Sequence, residues 1–394
     1  MAAPVSTDDF VSLIERSGLV EAADWQDFLS EHGELPEVPA ILADWMVRRG
    51  LVTRFQATHM LAGRHRGLIL GQYKLLDQIG KGGTGVVFLA EHRQLRRRAA
   101  IKVLPSDRSS KESVERFYRE ARAVAALDHP NIIRAHDVNQ DGKIHYLVME
   151  FVEGEILKDY VEKHGPLPPR EAAGYIAQIA AGLQHAHERG LIHRDIKPAN
   201  LLMDGTGTIK ILDMGLVLFF KEQDDTLTQD LSKGAVLGTA DYLSPEQALD
   251  CHEVDIRSDI YSLGATFYTF LSGRPPFHAS KITQKLIDHQ IKEPLPLHEL
   301  NPDIPRQLSA IIAKMMAKRP ECRFQTPSEV ISALAPWVPA VQPAPSTLPA
   351  PPKINASQKT SAGGRALARK LAPIVLLGGV LAAAGLWILL IAGR

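Results

Sequence analysis

Apolar residues recur at three-to-four spacing through the first seventy positions. "FVSLIERSG", "DWQDFLSEHG", "VPAILADWMVRRG" and "VTRFQATHMLAGR" each carry such a stripe, and several of them stop at Gly. That period gathers apolar side chains on one face of a helix, and Gly just past the last turn is a common stop. A small helical module over residues 1–70 is therefore expected. From Tyr73 the pattern changes: "YKLLDQIG", "GVVFLAEH" and "RAAIKVL" read as strands, "SVERFYREARAVAAL" as a long amphipathic helix, and "IHYLVMEFV" as a strand again. Helical patterns dominate from about Pro168 onward. Strands with one helix among them, followed mainly by helices, predict an α+β body of two lobes. No internal repeat is evident.

The end of the chain follows neither pattern. Residues 338–370 are rich in Pro, Ala and Ser with no period that could bury a face, which predicts a tether. Residues 371–392, "LAPIVLLGGVLAAAGLWILLIA", contain no charge. Roughly 20 apolar residues suffice to cross a hydrocarbon core as a helix, so one transmembrane helix is expected there. A buried core helix is the alternative, but the run has no polar face and follows a tether. Arg365, Arg369 and Lys370 precede it, and the positive-inside rule then places the rest of the chain in the cytoplasm, on the inner membrane. The opening "MAAPVSTDDFVSLIERSG" is acidic and polar, unlike a cleaved export signal.

Composition narrows the function classes. A 394-residue chain that is 45% hydrophobic and 23% charged has the makings of a globular core. Lys and Arg total 45, as do Asp and Glu, and no dense basic block stands out, so nucleic acid is not an expected partner. Only Cys251 and Cys322 are present, too few for a disulfide framework and without zinc-type pairing.

Three stretches carry candidate chemistry. "IGKGGTGVVFLA" sets Gly80, Gly82 and Gly85 in a G-x-G-x-x-G array between two predicted strands, where bare backbone N–H groups approach phosphate oxygens. A tight hairpin uses the same residues. A dinucleotide turn shares the spacing, but a helix should then follow, and the residues after Gly85 are β-branched and aromatic. Lys102 ends the apolar "AAIK", where an unpaired ammonium is costly to bury, and Glu120 on the following helix is a candidate partner, although a solvated helix-face Glu would look the same. "LIHRDIKPANLL" places Asp195, Lys197 and Asn200 between aliphatic runs, an arrangement that a turn entering a strand would also give.

Together these segments resemble a family. Gly80, Gly82, Gly85 and Val87, then Ala99-Ala100-Ile101-Lys102, Glu120, His193-Arg194-Asp195 with Asn200, Asp213-Met214-Gly215 and Ser244-Pro245-Glu246 fall in the order of a protein kinase. The chain resembles the bacterial eukaryotic-like serine/threonine kinases over about residues 73–337, and its N-terminal module is similar to that of planctomycete kinases. The resemblance implies a bilobal fold, with an antiparallel sheet and one helix in the first lobe and a mainly helical second lobe. It implies ATP and Mg²⁺ as cofactors and protein Ser/Thr hydroxyls as acceptors.

Residue by residue, the resemblance makes Asp195 the group that orients the acceptor hydroxyl, and Lys197 the charge that offsets the transferred phosphoryl. Asn200 and Asp213 become metal ligands, and Lys102, held by Glu120, the anchor of the α/β-phosphates. Ile79, Gly80, Lys81, Gly82, Gly83, Thr84, Gly85, Val86 and Val87 form the loop over the nucleotide. Ile79, Val87, Ala100 and Leu202 sandwich the adenine, Met149 stands at the gatekeeper position, and Glu150 and Val152 offer hinge backbone. Ile156 lies where relatives often carry a polar group toward the ribose, and Met214 replaces the usual Phe. Asp259 looks like the helix carboxylate that braces the catalytic loop, an ordinary helix cap being the alternative. Arg194 implies control by a phosphorylated loop hydroxyl, with Thr226, Thr228 and Ser232 as candidates, and with Asp224, Asp225 and Asp230 as substitute anions. Thr239 is a poorer candidate, its hydroxyl being placed to position the catalytic loop. A pseudokinase scaffold is the alternative function. A small-molecule phosphotransferase is disfavoured by "GTADYLSPEQ", which resembles a peptide-docking platform. Dimerisation is compatible with the sequence.

Overall fold

Four helices open the chain, and local signals set their ends. α1 (Thr7–Ser17) starts at a reciprocal capping box between Ser6 and Asp9 and stops at Gly18 in the left-handed region, with φ 65°. α2 (Ala22–His32) and α3 (Pro39–Arg49) follow, the latter with Pro in its first turn. α4 (Arg54–Leu61) has a second capping box, between Thr53 and Gln56. Their apolar stripes meet in a core that includes Phe10, Ile14, Phe28, Leu42, Met46 and Met60.

The first-lobe sheet has six strands: β1 (Ile69–Leu70), β2 (Tyr73–Gly82), β3 (Gly85–His92), β4 (Arg98–Val103), β5 (Ala135–Asp141) and β6 (Ile144–Glu150). Their spatial order is β1-β2-β3-β4-β6-β5, every pair antiparallel, and α5 (Lys111–Ala125) lies between β4 and β5 in the chain. Two strands have no counterpart in the sequence expectation. β1 is two residues long, and β5, "AHDVNQD", is largely polar.

Side chains alternate across a strand, and here both faces are covered. Ala99, Ile101, Tyr146 and Val148 pack with Leu70, Leu75 and Ala90, whereas Ala100, Leu147 and Met149 join Phe117 and Ala121 of α5 in the main core. The first face meets the helical module. Phe55 of α4 packs on that cluster, its ring 6.0 Å from Phe88. Buried Gln56 donates to the Leu75 carbonyl at 2.7 Å, Thr53 Oγ1 to Leu76 at 2.6 Å, and buried Lys74 Nζ to Leu19 at 2.7 Å. Residues 69–70, expected at the end of the module, instead begin the sheet.

The second lobe starts with β7 (Gly154–Ile156), α6 (Leu157–His164) and α7 (Pro169–His187). A 3₁₀ turn (Pro198–Asn200) leads into β8 (Leu201–Asp204), which pairs antiparallel with β7 and with β9 (Ile209–Ile211). The later helices are α8 (Pro245–Leu249), α9 (Ile256–Ser272), α10 (Ile282–Ile291), α11 (Leu297–Leu300), α12 (Arg306–Met315) and α13 (Pro327–Leu334). From Ser258 to Leu271 every residue of α9 is buried, as a helix central to a core must be. A Cβ at Gly264 would lie 2.8 Å from Met315 Cβ, so glycine lets α12 approach the α9 backbone.

The computed structural model describes residues 4–82, 85–104, 111–213, 239–249 and 254–338. Residues 1–340 form one compact unit, and the second unit, 341–394, lies outside the described residues together with the apolar run 371–392. Among the described residues no helix is long and apolar enough to cross a membrane.

Candidate active site

On the first-lobe side, β2 and β3 meet with Gly82 opposite Gly85; Gly83 and Thr84 between them lie outside the described residues. Gly85 has φ 129°, a conformation side chains rarely adopt. Lys81 pairs with Val86 and Gly80 with Val87, which stands opposite Lys102 on β4. Ile79 is half exposed, Val87 packs on the main core, and Ala100 lies on the Lys102 face of β4, in register with Met149. At the end of β6 the Glu150 N–H donates to the Arg134 carbonyl at 2.9 Å, so any bond from Glu150 to a base must use its carbonyl oxygen. Val152 packs against the core, and Leu202 is held on β8 between Ile156 and Lys210.

Lys102 is 3% exposed, and its Nζ lies 2.9 Å from Asp213 Oδ1. The contact is an ion pair without good hydrogen-bond alignment. Asp213 itself sits at φ 54°, an uncommon backbone state outside glycine. Glu120 is on α5, but its side chain lies outside the described residues.

The 193–200 loop gathers the other groups. Lys197 Nζ reaches Asp195 Oδ1 and Oδ2 at 3.0 and 2.8 Å and donates to Thr239 Oγ1 at 2.6 Å. Asn200 Nδ2 donates to the Asp195 carbonyl and to Oδ2, at 2.8 and 2.9 Å. His193 is oriented by two contacts: Nε2 bonds to the Leu212 carbonyl at 2.9 Å, and Nδ1 faces the Asp195 N–H at 3.2 Å. Arg194 adopts φ 64°, and its Nε is buried without a partner.

Beneath this loop, fully buried Asp259 on α9 accepts the Arg194 N–H at 2.7 Å, the His193 N–H at 2.9 Å and His187 Nε2 at 2.8 Å. Burial opposes its charge, but the His187 bond and the His193 interactions outweigh this and hold the carboxyl below its ordinary value. The cap of α9 is Asp255, so Asp259 braces the loop. Gln247 Nε2 adds a bond to the Arg194 carbonyl at 2.8 Å. Farther along, Glu246 forms a two-pronged pair with Arg323 at 2.6 and 2.8 Å, and burial is again outweighed, lowering the Glu246 pKa.

Sequence reasoning did not single out His187, Gln247 or the Lys210–Glu150 ion pair at 2.8 Å. It also missed the ion pair of Asp241 with Lys285 at 2.5 Å, where burial nevertheless pushes the Asp241 carboxyl up. Each is an ordinary polar residue whose partner lies far away in the chain. Met214, Thr226, Thr228 and Ser232 lie outside the described residues.

Residues 73–334 match the family described as "Protein kinase domain". The chain is 39% identical over 272 residues to the serine/threonine-protein kinase PrkC of Bacillus subtilis, an alignment covering 69% of this chain and 41% of that protein. It is also 39% identical over 264 residues to the serine/threonine-protein kinase PknB of Mycobacterium leprae, covering 66% of this chain and 42% of the relative. The match thus spans about two fifths of these curated relatives. Among solved structures, Rad53 1-466 in complex with AMP-PNP is similar with a TM-score of 0.57 and 25% identity, over 68% of this chain and 66% of that one.

Proposed function

We propose, because the chain belongs to the protein kinase family, that it is a serine/threonine protein kinase passing the γ-phosphoryl of ATP to hydroxyls of protein substrates. The observation that carries this reading is the pair of buried Lys102 with partly exposed Asp213, together with a loop in which Lys197 and Asn200 both hold Asp195. Phosphoryl transfer asks a protein mainly for positioning and charge compensation, and these are groups of that kind.

Asp195 orients the acceptor hydroxyl and takes its proton. Lys197, already within reach of Asp195, offsets charge on the transferred group, and its bond to Thr239 ties it to the segment before the substrate platform. Lys102 anchors the α/β-phosphates, with Glu120 as its helix partner. Gly80 to Val87 cover the phosphates. Ile79, Val87, Ala100 and Leu202 enclose the adenine, and Glu150 and Val152 meet its edge through backbone.

The donor set also suits Mg²⁺. Asn200 directs its amide nitrogen at Asp195, leaving its carbonyl oxygen to join the Asp213 carboxylate as hard oxygen ligands. One or two protein oxygens beside substrate phosphates are what this ion usually takes. When bound, it supplies neutralisation of charge on the phosphate oxygens.

Two further parts of the reading concern control and place. Arg194, with its Nε buried and unpartnered, calls for an anion, and a phosphorylated Thr226 or Thr228, with Ser232 third, is the proposed supplier. Residues 371–392 are proposed as a membrane helix with the kinase domain cytoplasmic, supported by the uncharged run and by the cations before it.

ATP turnover on a generic Ser/Thr acceptor protein tests the activity. Asp195→Asn should reduce it by about 10²-fold or more, the scale of general-base loss. Equal transfer by this variant, with contaminating kinase excluded, overturns the assignment.

A further inference from the structure

β2 breaks its regular pairing twice on the way to the glycine loop. Leu75 stands opposite Ala90 and Asp77 opposite Leu89, so Leu76 has no counterpart on β3. Gln78 stands opposite Phe88 and Gly80 opposite Val87, so Ile79 has none either. An extra residue of this kind is a β-bulge, which re-aims the side chains that follow it. Because side chains alternate along a strand, loss of the Leu76 bulge would slip the pairing by one residue and turn the next positions to the opposite face. Ile79, placed over the adenine, and Gly80, at the head of the phosphate loop, follow directly downstream.

The other edge of the strand holds the first bulge. β1 pairs only with Tyr73 and Lys74, so beyond them that edge meets no further strand and its carbonyls are open. The start of α4 fills the place: Gln56 Nε2 donates to the Leu75 carbonyl and Thr53 Oγ1 to the Leu76 carbonyl, at 2.7 and 2.6 Å. Both side chains are themselves locked by the capping box. Gln56 Oε1 accepts the Thr53 N–H at 2.8 Å, and Thr53 Oγ1 accepts the Gln56 N–H at 3.2 Å. Their remaining donors are thereby aimed at two adjacent carbonyls. Gln56 is only 3% exposed, so water is poorly placed to substitute for its amide. A Glu would complete the same capping box but has no N–H for Leu75. Both residues precede the family match, which begins at residue 73.

We propose that Thr53 and Gln56 are positioning residues for nucleotide binding. By fixing the Leu75 and Leu76 carbonyls they hold the bulge, and so set the register in which Ile79 and the Gly80–Gly85 loop cover the nucleotide. This role rests on the kinase reading given above, and it makes the helical module part of the support of the nucleotide site.

The test is the affinity of the full chain for AMP-PNP with Mg²⁺ by titration calorimetry, together with KM for ATP and kcat on a generic acceptor protein. Thr53→Val keeps the branched shape and loses the hydroxyl, whereas Gln56→Met keeps the length and loses the amide. Each should raise the AMP-PNP Kd and the ATP KM by about fivefold, the scale of one lost neutral hydrogen bond, with kcat at saturating ATP changed by less than about twofold. Thr53→Ser retains the donor and should bind as wild type does. Ser6→Ala removes a cap of the same kind from α1, where Ser6 bonds to Asp9 within its own turn, so it should lower Tm and leave Kd unchanged. The Tm of each variant checks folding at the assay temperature, and Gln56→Met serves as the second variant should Thr53→Val not fold. Wild type that does not bind AMP-PNP overturns the kinase reading and this role with it. Wild type that binds, with Kd unchanged in the folded variants or raised as much by Ser6→Ala, overturns the positioning role alone.

Discussion

The backbone N–H of Arg194 donates to Asp259 Oδ1 across 2.7 Å, tying the 193–200 loop to a carboxylate buried in α9. Arg194 is at φ 64°, a left-handed conformation that costs on the order of 1–3 kcal/mol outside glycine and needs such support. Asp259→Ala would leave His187 and the N–H groups of His193 and Arg194 buried without their acceptor. The expected loss is about 3 kcal/mol of unfolding free energy, measured by urea denaturation. Asp259→Asn, nearly the same shape, should unfold closer to wild type yet lose kcat. Undiminished kcat in Asp259→Asn would mean that the loop is held in place by other contacts.

Arg323 spends all five of its N–H groups. Two meet Glu246, and the others reach the carbonyls of Ala317, Lys318 and Arg257. Arg323→Lys cannot reproduce this fork and should cost about 3 kcal/mol, read from thermal or urea unfolding.

The same pair sets an acid limit. The folded Glu246 pKa lies below the ordinary glutamate value of 4.5, because burial is outweighed by the Arg323 bonds. Its contribution to stability is therefore fully present above that value and is lost as pH falls through the depressed folded one. Between pH 5 and pH 3, wild type should lose more unfolding free energy than Glu246→Gln, whatever their difference at neutral pH. Parallel pH profiles for the two proteins would argue against the pair as the source.

Arg194 is expected to be met by a phosphorylated hydroxyl within residues 226–232. Mass spectrometry of active protein should find phosphate on Thr226 or Thr228. Thr226→Ala/Thr228→Ala should lower kcat/KM by about tenfold or more, in keeping with charge-assisted bonds of about 1.5–3 kcal/mol. An unmodified segment, together with a fully active double variant, would favour Asp224, Asp225 and Asp230 as the anions instead.

Removal of residues 371–394 should move the protein from the membrane fraction to the soluble one with kcat retained. Soluble partitioning of the undeleted chain would refute the anchor.

Local chemistry made much of the molecule legible from its residues. Phosphate cradling, metal binding and hydroxyl orientation need set residue types at short spacing, so Gly80 to Gly85, Lys102 and His193 to Asn200 stand out as candidates, each with a plain structural alternative that only their shared order along the chain removes. Capping residues and apolar periods likewise mark the helices from Thr7 to Leu61. The two-residue β1 and the polar β5 leave no such trace, because pairing with neighbouring strands, not their own pattern, makes them strands.

Asp259 could be read either as a cap or as a brace, and only the fold places it under Arg194 while Asp255 takes the cap. The sequence by itself determined which elements form and which chemical groups they carry, because propensity, periodicity and motif spacing act over a few residues. The tertiary structure alone decided that the helical module covers the outer face of the first-lobe sheet, and that His187, Gln247 and Lys210 find Asp259, Arg194 and Glu150. Those pairings are chosen by burial and by the need to satisfy each buried polar group, and a single polar residue carries no mark of the distant partner that folding will bring to it.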